Sequence, residues 1–200
     1  MAAAIAKPWI RSDQRLLPLV FPMVENAEPR RSAWHEAADA LAGEVARGQS
    51  VVLLCEGDAS LFATASYVVL ALQQNHPCCS LRVIPGITAL SAAAAAGSWP
   101  LALQQDQLLV MPCPDDSDAL KSALKTAAAQ GRVLALLKLG RRWGWVQPLL
   151  EELGLLENTL FAERVGWPDQ NVCRADQCPA GQRPYFSLLL IRQAWPKVLP

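Results

Sequence analysis

Along the chain, short unbroken apolar runs alternate with segments whose apolar residues recur every three or four positions. Val51–Cys55 (VVLLC) is entered from Gly48-Gln-Ser and left through Glu56-Gly57-Asp58. A run of this length, β-branched at its start and closed by turn residues, suits a strand buried on both faces of a parallel sheet. Leu81–Ile84, Gln107–Met111, Arg132–Leu137 and Tyr185–Ile191 read the same way. Leu16–Phe21 contains Pro18, which removes a ladder donor and assigns that run to an edge. Between the runs, Ser32 is a candidate cap for a helix carrying Trp34, Ala38, Leu41 and Val45 and ending at Gly48. Ser60–Gln74, Thr88–Ala96, Asp116–Gln130 and Trp143–Leu153 are further helices, the last kinked or split by Pro148. Strand and helix alternate throughout, which predicts an α/β fold. The polar break at Gly97–Asp106 places a domain boundary, giving domains 1–104 and 105–200. Gly166–Arg183 is a polar stretch joining two strands.

Composition narrows the chemistry. The 200 residues carry 18 Lys+Arg against 18 Asp+Glu, and 52% are hydrophobic. Balanced charge excludes an electrostatically driven nucleic-acid binder or a polybasic membrane binder. The longest apolar stretches, Tyr67–Leu72 and Ala92–Ala96, fall far short of the roughly 20 residues of a membrane span. The six cysteines lack paired CxxC spacing, so free thiols in the cytoplasm are the better reading.

Two strand ends are candidate ligand loops, since open α/β sheets bind ligands beyond the carboxyl ends of their strands. In the first, Gly57 allows close approach of backbone to ligand. Glu56 or Asp58 there suits ribose hydroxyls or an ammonium group, and the competing reading is that Asp58 or Ser60 caps the next helix. In the second, Pro85-Gly86-Ile87-Thr88-Ala89, Thr88 is either a helix cap or part of a site. Neither GxGxxG nor GxxxxGK[ST] occurs. No metal or nucleophile constellation stands out, and His35 and His76 read as surface residues. Lys138, at the end of RVLALL, is within reach of a strand-end site or simply solvated. Arg141 and Arg142 are suited to carboxylates or form a solvated helix start.

The order of these elements is more specific than any one of them. Leu19-Val20-Phe21-Pro22-Met23, Trp34, Leu54-Cys55-Glu56-Gly57-Asp58, Ile84-Pro85-Gly86-Ile87-Thr88, Leu101 after Trp99-Pro100, and Pro184-Tyr185-Phe186-Ser187-Leu188-Leu189 together resemble the tetrapyrrole (class III) methyltransferases. Within that family the pattern is most similar to the branch that methylates precorrin-2 at C20 in cobalamin biosynthesis, a part of porphyrin and corrin metabolism. The resemblance implies two α/β domains, a mainly parallel sheet in the first and a mixed sheet in the second. It implies S-adenosylmethionine held in the cleft between domains, and a homodimer. It assigns Glu56, Gly57, Asp58, Leu61, Thr88 and Ala89 to the cofactor, with Lys138, Ala175 and Tyr185 as weaker carry-overs. Arg141, Arg142 and Arg183 are candidates for the substrate's carboxylates, the substrate being precorrin-2 or its cobalt complex. The alternatives are a methylase of another tetrapyrrole position and an inactive homologue serving as a binding partner.

The chain departs from the family pattern in places. Ala59 stands where many relatives carry Pro, and Phe62 where they often carry Tyr. Only Met1–Arg15 precedes the FPM segment, so the family's opening strand and GxGPGDP loop are not found, which suggests a start placed downstream of the true one or a fragment. No general base is identified.

Overall fold

The computed structural model describes residues 2–196. The α/β class holds, and the chain divides between Thr88 and Ala89 into two compact units. The division precedes the composition break at Gly97–Asp106, and the alanine-rich helix Ala89–Ala96 belongs to the second unit.

In the first unit a short helix, α1 (Ala2–Ala6), precedes two longer ones, α2 (Ala27–Ala46) and α3 (Thr64–Asn75). α2 begins earlier than Ser32, because the Asn26 side chain accepts a hydrogen bond from the Glu28 amide and caps it. Pro29 falls in the first turn, where its missing N–H costs nothing. α3 begins later than Ser60, and no side chain caps it. Ala37, Ala38 and Leu41 pack against Val68, Ala71 and Leu72, and Trp34 stacks on Tyr67 at 4.1 Å between ring centroids.

The apolar runs of this unit alternate as strands do. Leu19, Phe21, Val51 and Leu53 pack on the two helices, whereas Val20 is 82% and Val52 78% exposed. The parallel sheet read for this domain is nevertheless not laddered: among the described residues, no strand is assigned before Ala89. Packing against the helices enforces the two-residue period, but a ladder also needs a neighbouring main chain about 4.8 Å away.

The second unit is built on a five-stranded mixed sheet of order β1-β2-β5-β3-β4, made from β1 (Gln107–Pro112), β2 (Arg132–Leu137), β3 (Thr159–Glu163), β4 (Asn171–Arg174) and β5 (Ser187–Ile191). β1 and β2 run parallel, and the other three pairings are antiparallel. The final strand begins two residues later than Tyr185, and β4 lies inside the stretch read as a polar connection. α4 (Ala89–Ala96), α5 (Ser117–Ala129) and α6 (Trp143–Glu152) complete the unit. Asp116 caps α5 by accepting from the Ala119 amide. α6 runs unbroken through Pro148, which forgoes only one intrahelical donor.

The continuous apolar runs of β2 and β5 reflect burial on both faces. Leu134, Leu136, Phe161, Leu189 and Ile191 join Leu120, Leu124, Trp143, Val146 and Leu150 in the core beneath α5 and α6. The alternate residues point the other way, where the end of α4 sits against β3 and β4: a Cβ at Gly97 would lie 2.6 Å from Leu160 Cδ2 and 3.2 Å from Val172 Cγ1. Arg192, 1% exposed, closes the far end of β5 with its Nη1 2.6 Å from Asp106 Oδ2.

Candidate functional site

In the first unit the two loops singled out in the sequence are joined. Gly57 takes a positive φ of 69°, conformationally cheap for glycine, and turns the chain out of Val51–Cys55. Asp58 follows, with Oδ1 accepting from the Ser60 amide at 2.8 Å and from the Ser60 hydroxyl. Its Oδ2 accepts from the Gly86 amide at 2.8 Å, in the second loop. The Ser60 hydroxyl and the Gly86 and Ser60 amides hold the Asp58 carboxyl below its ordinary 3.8. Neither Asp58 nor Ser60 caps α3, which starts at Thr64. Ser66, in the first turn of α3, donates its hydroxyl to the Ala59 carbonyl at 2.7 Å and fixes the loop from behind.

The approach of the two loops also explains a glycine. A Cβ at position 86 would run into the Gly57 carbonyl oxygen and lie 3.3 Å from Asp58 Cα. Around the junction stand the half-buried Glu56 and Leu61, Phe62 at 46% exposure and Ile87 at 72%. Ile87 was not singled out by sequence reasoning; its position inside IPGIT is the signal that marks it. Ala89 opens α4, in the second unit.

The second unit gathers the other candidates at the ends of β2 and β5. Lys138 adopts φ 58°, a conformation uncommon outside glycine, and Gly140 follows at φ 54°. Ser187 fixes this corner: its carbonyl accepts from the Leu139 amide at 3.0 Å and its hydroxyl from the Gly140 amide at 3.0 Å. The same hydroxyl donates to the Pro184 carbonyl at 2.7 Å, so the Lys138–Arg142 and Arg183–Ser187 segments lie side by side. Tyr185, 45% exposed, meets Phe186 edge to face.

The three arginines differ. Arg141 is exposed. Arg142 is committed within the fold, its Nε 3.0 Å from Asp115 Oδ1 and its Nη1 3.1 Å from the Lys138 carbonyl. Arg183 donates to the Pro179 carbonyl at 2.6 Å and lies over the Phe161 ring. Ala175 is fully buried among the core side chains, and its carbonyl accepts from the Cys178 amide. Burial pushes the nearby Cys178 thiol up to about 11, and that of Cys113 likewise. Among the described residues, no group of three or more His, Cys, Asp or Glu side chains is placed to hold a metal ion.

Comparison with known proteins adds a family to this geometry. The family model of the Tetrapyrrole (Corrin/Porphyrin) Methylases matches residues 2–177. The chain is 29% identical over 198 residues to a cobalt-precorrin-2 C(20)-methyltransferase of Salmonella typhimurium, covering 98% of this chain and 80% of that protein. It is similar to the crystal structure of the methyltransferase CobJ, with a TM-score of 0.56 and 26% identity over 82% of this chain and 74% of that one. It also shares its fold with a uroporphyrin-III C-methyl transferase from Thermus thermophilus solved in complex with S-adenosyl homocysteine. There the TM-score is 0.51 and the identity 24%, over 80% of this chain and 74% of that one.

Proposed function

The chain belongs to the tetrapyrrole (corrin/porphyrin) methylases, and on that footing we propose that it transfers the methyl group of S-adenosylmethionine to C20 of precorrin-2 or its cobalt complex, a step of cobalamin biosynthesis. The similarity to a C20-methyltransferase along 98% of the chain carries this reading. The joined loops fit the donor. Gly57 and Gly86 keep side chains out of the place where the main chains meet, and the same two loops carry the exposed Ile87 and Phe62 and the half-buried Glu56. An apolar surface edged by a carboxylate and main-chain polar groups suits a nucleoside. Glu56, Gly57, Leu61 and Thr88 are assigned to it, with Asp58 holding the loops.

The bound donor supplies a sulfonium methyl, and the carbon that receives it is made electron-rich by conjugation with pyrrole nitrogens. The protein's task is therefore orientation, which supplies up to about 7–11 kcal/mol when reacting atoms are held in line, together with exclusion of water. In the second unit, Lys138 and Tyr185 stand on a corner fixed by Ser187, and the exposed Arg141 has donors suited to a substrate carboxylate. Arg142 and Arg183 serve that corner from within, through Asp115 and the Pro179 carbonyl. Ala175, buried in the core, supports the corner rather than facing a ligand.

The same reading has the protein act in the cytoplasm as a homodimer. The six free thiols are consistent with a reducing compartment. Light scattering tests the dimer. The activity is tested by incubating the protein and S-adenosylmethionine with a panel of precorrins. Gain of one methyl mass on precorrin-2 or cobalt-precorrin-2 supports the assignment. Methylation of a different panel member alone would move the reaction to another ring position, and no methylation at all would refute the proposal.

A further inference from the structure

We propose that Asp58 is a positioning residue: its carboxylate clasps the Glu56–Ser60 turn to the Pro85–Thr88 loop and sets the surface that receives the nucleoside, without touching the nucleoside itself. The inference rests on the donor-binding role proposed above and assigns this residue its part in it.

A carboxylate at the end of a strand in an α/β protein has two uses. It can face the ligand, or it can hold the loops that do. The distinction lies in where its acceptor capacity goes. An ionised carboxylate offers about four acceptor positions on two oxygens. Three of those of Asp58 are taken by protein donors: the Ser60 amide and hydroxyl on Oδ1 and the Gly86 amide on Oδ2. The donors come from both loops, which lie 28 residues apart in sequence. The Glu56 carboxylate, in the same turn and half-buried, makes no hydrogen bond or ion pair among the described residues. It is the acceptor that the turn leaves to a ligand.

The surroundings agree with a clasp. Main chain meets main chain at the junction, since a Cβ at Gly86 would overlap the Gly57 carbonyl oxygen. A Cβ at Gly57 would in turn stand 3.6 Å from the Ile87 carbonyl oxygen. Where the main chains come this close, the Asp58 carboxylate ties one loop to the other by accepting from the Gly86 amide. The Ser66 hydroxyl on the Ala59 carbonyl fixes one loop to α3, so the clasp transmits that anchorage to the other.

The test uses three ligands: S-adenosylhomocysteine; 5′-methylthioadenosine, which lacks the amino-acid end; and 2′,3′-dideoxyadenosine, which lacks the ribose hydroxyls. Affinities are measured for wild type and Asp58→Asn at a temperature where circular dichroism shows both folded, and hydrogen exchange at the Gly86 amide is followed without ligand. A clasp predicts the same loss for all three ligands, about tenfold, the equivalent of one charge-assisted hydrogen bond. It also predicts faster Gly86 exchange by a similar factor. A loss that vanishes with either truncated ligand would show direct contact and overturn the inference, as would unchanged affinity or unchanged Gly86 exchange. Wild-type protein that binds none of the three overturns the donor-binding role and the positioning role together, whereas the other failures overturn only the latter.

Discussion

Removing the Asp106 carboxylate charge, by Asp106→Asn, should cost the second unit more than any surface change. Arg192 is 1% exposed and its guanidinium meets Asp106 Oδ2 at 2.6 Å, the Pro100 carbonyl at 3.2 Å and the face of Trp195 at 4.7 Å. Its Nε already lacks a partner. Burial opposes the Asp106 charge, but the Leu103 amide and Arg192 outweigh it and hold the carboxyl below its ordinary 3.8. Taking away the negative charge leaves a buried cation with one carbonyl and one ring, and breaking a buried pair this way costs about 3–5 kcal/mol. At about 4 °C per kcal/mol for a unit of roughly 110 residues, that corresponds to a fall in Tm of roughly 12–20 °C. Urea unfolding followed by tryptophan fluorescence measures it. The partner experiment is Asp106→Asn with Arg192→Met, which removes the stranded cation and should recover at least half of the loss. A single-variant cost below about 1 kcal/mol, typical of an exposed pair, would show that Asp106 and Arg192 do not form a buried ion pair of this kind. So would a double variant less stable than the single.

Other outcomes follow from particular contacts. Gly97→Ala pushes a methyl against Leu160 and Val172, and should destabilise the second unit by about 1–3 kcal/mol in the same urea assay. Arg141→Ala should raise KM for the precorrin about five- to tenfold with kcat little changed, as loss of one charge-assisted bond to a carboxylate would. Arg142→Ala should instead lower stability, because it frees Asp115 and the Lys138 carbonyl. The Asp58 carboxyl is depressed on folding, so its contribution is fully present above 3.8 and is lost as pH falls through the still lower folded value. The Gly86 amide resonance should therefore stay fixed near about pH 7 and move only in acid, and Asp58→Asn should abolish that titration.

The sequence was most readable where one physical demand acted alone. Arg132–Leu137 was bounded to the residue, because a strand covered on both faces must be apolar at every position. The helix read as Asp116–Gln130 is α5, which begins one residue later because Asp116 serves as its cap. The start of α2 was hidden, since Asn26 is followed by the polar Glu28-Pro29-Arg30-Arg31, which carries no apolar period. β4 escaped because it has four residues, and its ladder partner Thr159–Glu163 decides what its own composition does not. In the first unit the alternation of Leu19, Val20 and Phe21 was legible, but alternation reports burial and not the main-chain ladder. Both candidate loops could be picked out from their turn residues. Their junction could not, because the Asp58–Gly86 bond depends on how the fold returns the chain 28 residues later. Arg142 shows the converse: a basic residue at a promising place is committed to Asp115 by a contact that no local pattern announces.

Methyl transfer to one carbon of the ring is read directly by ¹³C NMR. The protein is incubated with precorrin-2, or with cobalt-precorrin-2, and S-adenosylmethionine labelled in its methyl group. One labelled methyl is expected on C20 and none elsewhere on the ring. Label at another ring carbon, or a substrate recovered unlabelled, would contradict the C20 assignment.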